Sequence, residues 1–552
     1  MKELYIGKWG ILIGVFLCSI GCTSDDEPSP VRESGILGTP IDGMRIAWDY
    51  SSMSAIAPTG DHLRICELSD GSLLAAYATN GACHVRMSPD GREWRYDTQV
   101  FTGGYSEPSV LCLDDGRICM VAVYEDATGI SSLQITESLD NGFSWSAPQT
   151  IYTASETSTP CSGPALLQLP DGSLQCYFAS AEHHLPDLGI WMSASSDRTS
   201  WSQPESCSYT SGHSESCVSP VLCADRIILA FESVASDGAT QVQTLSKPIA
   251  AAWSTAERQD IMFDNGTFGT NYRKPHMISY GKKLLLCVEK HNESRVLQVA
   301  WKEAESWMNP TEPFSFQKSQ EVTDGSLVVL SDGTFLATGH TIPSGSSAQP
   351  HVIRGYALSE LRALPGTINL DGAVTEEEWG VTMPLFIGHQ GPTRMQASFR
   401  HDRGTLYIGA KVWDSTQISG LPGIKDNYTI NGKGIDGVTL YLDPFGTCYE
   451  TPVSGMYKLI TVPDGGYAWM EYREGMWNRC YDTDGIEVRT QQLQDCYFVE
   501  MALSLSALDK SALSPLRLTL GLNASDGSVK YEEMAALSTN GQPNTWYNLA
   551  FE

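Results

Sequence analysis

Asp70-Gly71-Ser72-Leu73-Leu74-Ala75-Ala76-Tyr77 places a tight turn directly before an apolar run of strand length. Asp-Gly suits a hairpin turn, because glycine takes the left-handed backbone and aspartate bonds the turn's own amides. The same kind of turn returns at Asp115-Gly116, Asp171-Gly172, Asp225-Arg226, Gly281 and Asp332-Gly333. Counted from the glycine, or from the residue in its place, the intervals are 45, 56, 54, 55 and 52 residues. The strands that follow, such as Leu174-Gln175-Cys176-Tyr177-Phe178, have the short apolar character of buried β-structure. Six units with a period near 50 predict an all-β fold whose first part is a six-bladed β-propeller, since closure into a ring removes free sheet edges.

The repeat occupies residues 50 to 360 of a 552-residue chain, which leaves room for a second core. With 41% hydrophobic and 18% charged residues the composition is that of a folded chain. A formal net charge of −29 repels phosphate backbones, so nucleic acid is excluded as a partner class. Of fifteen cysteines two fall in the first 22 residues, leaving an odd thirteen, and no CxxC pair of metal type occurs. Many lie in apolar strand-like runs, where cysteine acts as a small hydrophobe. Buried free thiols are expected.

Lys2 and Lys8 precede the apolar run Ile11–Leu17, which has the length of a signal h-region and is too short to span a bilayer. Ser19-Ile20-Gly21-Cys22 resembles a bacterial lipobox, with Ser19 in place of the usual leucine, and Thr23-Ser24-Asp25-Asp26-Glu27 resembles the acidic tag of surface-exposed lipoproteins. The resemblance implies a signal over 1–21, lipidation of Cys22, an acidic tether over 22–45, and an exported outer-membrane protein facing outward. The membrane is then met through the anchor only. A cleaved, unlipidated signal is the alternative.

Ser138-Leu139-Asp140-Asn141-Gly142-Phe143-Ser144-Trp145 resembles the Asp-box of the sialidase superfamily, S-x-D-x-G-x-[ST]-W. Shortened copies stand at Ser88–Trp94 and Ser195–Trp201. The box is a hairpin clamp in which Asp and Ser bond turn amides and Trp packs between strands, and the resemblance implies a place away from the active site. It therefore marks architecture rather than substrate.

After the joint Arg362–Ile368 the texture changes. Asn369-Leu370-Asp371-Gly372, Glu376-Glu377-Glu378-Trp379, Leu406–Asp414, Asp436–Pro444 and Tyr497-Phe498-Val499-Glu500 follow in order, and the series resembles family-nine-like carbohydrate-binding modules. The propeller is thus expected over 46–362 and a β-sandwich over 363–552. Thr405-Leu406-Tyr407-Ile408 and Thr439-Leu440-Tyr441-Leu442 read as strands on composition alone.

Propeller ligand sites lie at one end of the channel, so the starts of innermost strands come first. They read Asp61-His62-Leu63-Arg64-Ile65, Ser106-Glu107-Pro108, Cys161-Ser162-Gly163-Pro164, Glu215-Ser216-Cys217, Tyr272-Arg273-Lys274-Pro275-His276 and Glu321-Val322-Thr323-Asp324. Second strands add Glu125-Asp126, Glu232 and Glu289. Cleaving a glycosidic bond needs one carboxyl to protonate the leaving oxygen and a second group on the attack side. In the exo-arabinanase branch of the superfamily a Glu-Pro opens the third blade and a Phe-Glu closes the fourth blade's second strand. Phe231-Glu232 resembles the latter, whereas Gly163 stands where the former glutamate would be. Against the sialidase pattern, Arg64-Ile65 resembles the first-blade Arg-Ile(-Pro) with Cys66 replacing proline, and Arg273 falls in blade five.

The catalytic candidates are therefore Glu232, Glu107 and Glu215. Arg64, Arg273 and His276 are candidates for holding substrate, and Trp469 and Trp477 for stacking on sugar. The ordinary alternatives are a loop surface charge for Glu107, a solvated strand end for Glu232, surface or inter-blade ion pairs for the arginines and core packing for the indoles; His183 and His184, also able to bond sugar hydroxyls, are expected to be solvent-exposed. Catalysis is expected to need no cofactor or metal, and Asp414 and Asp436 are candidates for a structural calcium in the C-terminal domain. The resemblance implies an exo-acting glycoside hydrolase whose partner is a polysaccharide or glycan; the alternative is a non-catalytic surface glycan-binding lipoprotein, and a protein scaffold is a third class.

Overall fold

The computed structural model describes residues 36–37, 44–263, 271–291, 295–303, 306–314, 321–342, 347–358, 360–380, 385–388, 393–420, 429–430, 433–525, 530–535 and 538–552. The first 22 residues, and with them Cys22, lie outside the described residues. Among the described residues no helix is long and apolar enough to cross a membrane.

The protein is all-β, with a six-bladed propeller followed by a curled sandwich-like sheet. Each blade is a four-stranded antiparallel sheet, and the innermost strands of blades 1 to 6 are Asp61–Glu67, Tyr105–Cys112, Cys161–Gln168, His213–Cys223, Tyr272–Tyr280 and Glu321–Val329. The sixth blade takes its outermost strand from the start of the domain: Arg45–Ala55 pairs antiparallel with Gln349–Leu358 and closes the ring. Apolar second strands such as Leu73–Thr79 and Ile118–Glu125 bury nearly every residue, because both of their faces meet neighbouring blades. The cores accordingly lie between blades, as where Tyr177 and Ile190 of blade 3 pack with Leu229 and Phe231 of blade 4.

The complete Asp-box folds as the clamp that its sequence suggested. Asp140 accepts the Ser144 amide at 2.8 Å, Ser138 Oγ accepts the Gly142 amide at 2.8 Å, and the Trp145 indole donates to the Gly142 carbonyl at 3.0 Å. Gly142 sits at φ 87° with Leu74 of blade 1 pressed against it, so a Cβ there would clash with Leu74 Cδ1. All thirteen described cysteines are free thiols, seven of them buried.

The C-terminal domain is built on one long sheet, with a two-stranded ribbon beside it, and its main core contains Phe399, Ile408, Leu440, Met501 and Leu520. Its sheet starts earlier than the joint suggested. Leu361–Pro365 lies centrally in it, parallel to both Tyr547–Phe551 and Arg394–His401. The two domains meet through buried Arg45, whose guanidinium donates to the Thr545 carbonyl at 2.9 Å and lies 4.0 Å over the Tyr547 ring. Tyr356 of blade 6 also stacks on Phe386 at 4.4 Å.

Candidate active site

In every blade the innermost strand breaks register just after its start, and the residue at the break has a left-handed backbone. These residues are His62, Glu107, Gly163, Cys217, Lys274 and Asp324, with φ between 45° and 58°. Five carry side chains in a region that L-residues visit at a cost, as residues held at functional sites do. The bulges aim this ring of six at the axis, and all six line one cavity of about 620 Å³. Two residues further along, Arg64, Ser109, Ala165, Ser219, His276 and Ser326 line it again; deeper still its wall is mostly apolar, with Leu111, Leu167, Leu222, Ile278 and Val328, and with Glu67 and Ser279 among them.

Asp324 is the electrostatic centre. Its carboxylate lies 3.8 Å from the Arg64 guanidinium and 3.7 Å from both His62 Nδ1 and His340 Nδ1. Burial alone would raise this carboxyl, but Arg64, His62, His340 and Lys274 outweigh it and hold Asp324 well below the usual carboxylate range. Lys274 also pairs with buried Glu289 at 3.3 Å, and that carboxylate accepts His291 Nε2 at 2.8 Å and the amide of Asp324. Burial and then Arg64 push the His276 imidazole down to about 3, so it is neutral; Nδ1 accepts the Leu327 amide at 3.2 Å and Nε2 carries the proton. Burial, reinforced by Glu232, holds the Cys217 thiol protonated.

A second layer explains Glu232. Opposite the residue preceding each bulge, the second strands carry Ala78, Val123, Ala179, Glu232, Glu289 and His340. The ionisable members are confined to blades 4 to 6. Glu232 accepts Ser216 Oγ and the Lys274 amide, each at 3.0 Å, as Glu289 accepts the Asp324 amide in the next blade. Glu232 is 8% exposed and stands behind the residues that line the cavity.

Of the residues singled out from sequence, Glu107, Arg64 and His276 line the cavity together. Glu215 does not. It is fully buried beside blade 3, bonded by Arg258 and Thr210 at 2.8 Å each and by Ser208, because it precedes the bulge and faces away from the axis. Arg273 likewise lies off the cavity lining, one residue before the bulge, and the adjacent Lys274 takes the axial place. Trp469 is 3% exposed and stacked on Tyr457 at 4.8 Å, a core position that offers no open face to a sugar. Trp477 is half-buried, with Tyr472 edge-on at 5.2 Å. His62, Lys274 and Asp324 stand within the innermost strand starts without any sequence feature that marks them, and His340 lies on a second strand outside those starts. Aligning the second strands on Glu232 and Glu289 would have found it.

For calcium, Asp414 Oδ2 and the Tyr497 hydroxyl are both buried without a hydrogen-bond partner. Asp436 stands beside them, its carboxyl raised to about 6 by burial and by Asp414. The two unpartnered oxygens are hard donors of the kind calcium prefers, whereas Asp436 already accepts the Ile418 amide and, at 2.6 Å, the Ser525 amide. A separate trio, Asp371, Glu378 and Glu500, brings carboxylate oxygens within 4.8 Å of one another, though Glu500 already accepts the Gly372 amide and the Trp379 indole.

No protein-family model matches the chain, and no curated protein does. Solved structures do. The α-L-arabinanase of Penicillium chrysogenum, complexed with arabinobiose, is 16% identical over 58% of this chain and 98% of its own, with a TM-score of 0.46. The α-L-arabinofuranosidase of Fusarium graminearum, in complex with an iminosugar inhibitor, is 14% identical over 58% of this chain and 98% of its own, with a TM-score of 0.44. A family 9 carbohydrate-binding module of Caldicellulosiruptor kristjanssonii, in complex with glucose, is 16% identical over 35% of this chain and 95% of its own, with a TM-score of 0.27. The two propeller neighbours are named as an arabinanase and an arabinofuranosidase, and another, from Dyadobacter fermentans, is 14% identical over 57% of this chain with a TM-score of 0.47 and is of unknown function. At these identities the likeness is one of fold.

Proposed function

We propose that the propeller is an exo-acting glycoside hydrolase for a terminal neutral sugar of a glycan, working at the mouth of its channel. One observation carries this reading: Glu107 and Asp324 converge on a single cavity from blades 2 and 6, with Arg64 and His62 of blade 1 between them. Asp324 stays ionised and supplies negative charge to an oxocarbenium-like transition state, and Glu107 faces the leaving group. Among the described residues the cations lining the mouth already face anions, Arg64 beside Asp324 and Lys274 on Glu289, which favours a neutral sugar over one whose carboxylate needs a guanidinium clamp. Below the mouth the wall turns mostly apolar, which suits one terminal residue rather than a threaded chain.

The test is release of monosaccharide from aryl arabinofuranosides, galactosides, sialosides and native oligosaccharides by wild type and by folded Asp324→Asn and Glu232→Gln proteins. Turnover of a neutral glycoside that collapses in Asp324→Asn supports the assignment; preference for sialosides overturns the neutral-sugar reading. Glycan binding without turnover across the panel would move the protein to the non-catalytic class.

Two further roles belong to the same reading. Cys22 anchors the chain in the outer membrane, so wild type partitions into detergent and Cys22→Ser does not. Asp414, Asp436 and Tyr497 hold a structural calcium, so added calcium raises the melting temperature of wild type but not of Asp414→Asn.

A further inference from the structure

Resting on the hydrolase reading, we infer that Glu107 is the proton donor of the site and that it works from the place in blade 3 where Gly163 contributes no side chain. Gly163 alone in the ring of six lacks a side chain, and its ladder is broken between Ser162 and Ala165. The freed Gly163 amide donates to Glu107 Oε2, so a carboxyl rooted in blade 2 is held against the backbone of blade 3. Space does not demand glycine there: a Cβ would meet Cys217 backbone atoms at 3.8 Å, an ordinary contact. A side chain can therefore start from blade 3 at the same left-handed φ that the five other bulge residues adopt, and in this chain the carboxyl comes from blade 2 instead.

In the step assigned to it, the Glu107 carboxyl passes its proton to the bridging oxygen as the bond from that oxygen to the anomeric carbon breaks. The bonding pair stays with the oxygen, which leaves as an alcohol. The water consumed gives its hydroxyl to the anomeric carbon, and its remaining proton restores Glu107. Acid assistance matters for a poor leaving group and hardly at all for a good one, which separates this role from a structural one.

The experiment compares the full chain as wild type, Glu107→Gln and Glu107→Gln/Gly163→Glu on alkyl and 2,4-dinitrophenyl glycosides of the sugar that wild type accepts. Glu107→Gln should lose on the order of 10²- to 10⁴-fold in kcat on the alkyl glycoside and far less on the dinitrophenyl one. Its pH profile should lose the alkaline limb, and Gly163→Glu should restore part of both. Equal losses on the two leaving groups, or unchanged alkyl turnover, overturn the donor role while leaving the hydrolase reading intact. Wild type inactive on every glycoside overturns both. Independently of turnover, the Gly163 amide resonance of glycine-labelled protein should titrate with the Glu107 carboxyl and stop doing so in Glu107→Gln; an amide that never titrates overturns the handover between blades.

Discussion

Asp324 owes its charge to its neighbours rather than to solvent. The carboxylate is 7% exposed, yet Arg64, His62, His340 and Lys274 depress its proton affinity below that of an unfolded chain, where aspartate titrates near pH ~3.9. Between the two values the folded protein binds fewer protons than the unfolded one. The stabilisation is therefore complete above about pH 4 and is lost as pH falls toward the folded value. Denaturant midpoints of wild type should fall more steeply below about pH 4 than those of Asp324→Asn; parallel acid limbs would show that the cations do not set this carboxyl. Asp324 was hard to read from sequence for a physical reason. What unites His62, Glu107, Gly163, Cys217, Lys274 and Asp324 is a backbone angle at a register break, and their side chains share no chemistry that would announce it. Glu107 was legible because an apolar strand follows it directly and fixes its place.

Six bulged strands place one residue each at the axis, but a bulge also frees an amide, and a freed amide in a tight wall needs an acceptor. Glu107, Glu232 and Glu289 supply acceptors for residues 163, 274 and 324, each reaching into the next blade. This is why Glu232, which resembles a catalytic position in sequence, sits behind the lining: its oxygens are committed to Ser216 and Lys274. Removing an acceptor strands the amide. Glu289→Ala should cost about 1–3 kcal/mol for the Asp324 amide, with a further loss from Lys274 and His291, and should speed hydrogen exchange at that amide. An unchanged denaturation midpoint would mean that water replaces the carboxylate. At the opposite end of the blade, Trp145 is half-buried in the Asp-box clamp rather than fully enclosed. Trp145→Ala should therefore cost about 1–3 kcal/mol, below the ~3–5 kcal/mol of a core indole, and leave the channel's chemistry untouched. Loss of sugar turnover without loss of stability would give it a different role.

The whole molecule is tied at two seams, the ring closure and the domain joint, and the turn spacing that reveals the blades reveals neither. The turn spacing predicts six blades because a propeller repeats one hairpin unit, and that regularity survives in the positions of Asp-Gly. Ring closure by Arg45–Ala55 could not be read the same way, since an outermost strand carries no periodic turn of its own. The domain joint misleads for a related reason. Arg362–Ile368 reads as a linker from its Pro and Gly, yet Leu361 and Ala363 are fully buried and Leu361–Pro365 pairs on both sides inside the C-terminal sheet. Parallel pairing to strands distant in sequence leaves no local pattern. The placement makes a sharp prediction about where the C-terminal domain begins. A fragment of residues 366–552 lacks a central strand and exposes the facing edges of two others, so it should show no cooperative thermal transition by circular dichroism. A fragment of residues 360–552 regains both pairings and the buried Leu361 and Ala363, and should melt cooperatively. It should still melt below the same domain in the full chain, because Arg45, which reaches Thr545 and Tyr547 from the propeller, is absent. Equal cooperative melting of the two fragments would make Leu361–Pro365 dispensable, and a full chain carrying Arg45→Ala that melts as wild type would remove the guanidinium from the interdomain seam.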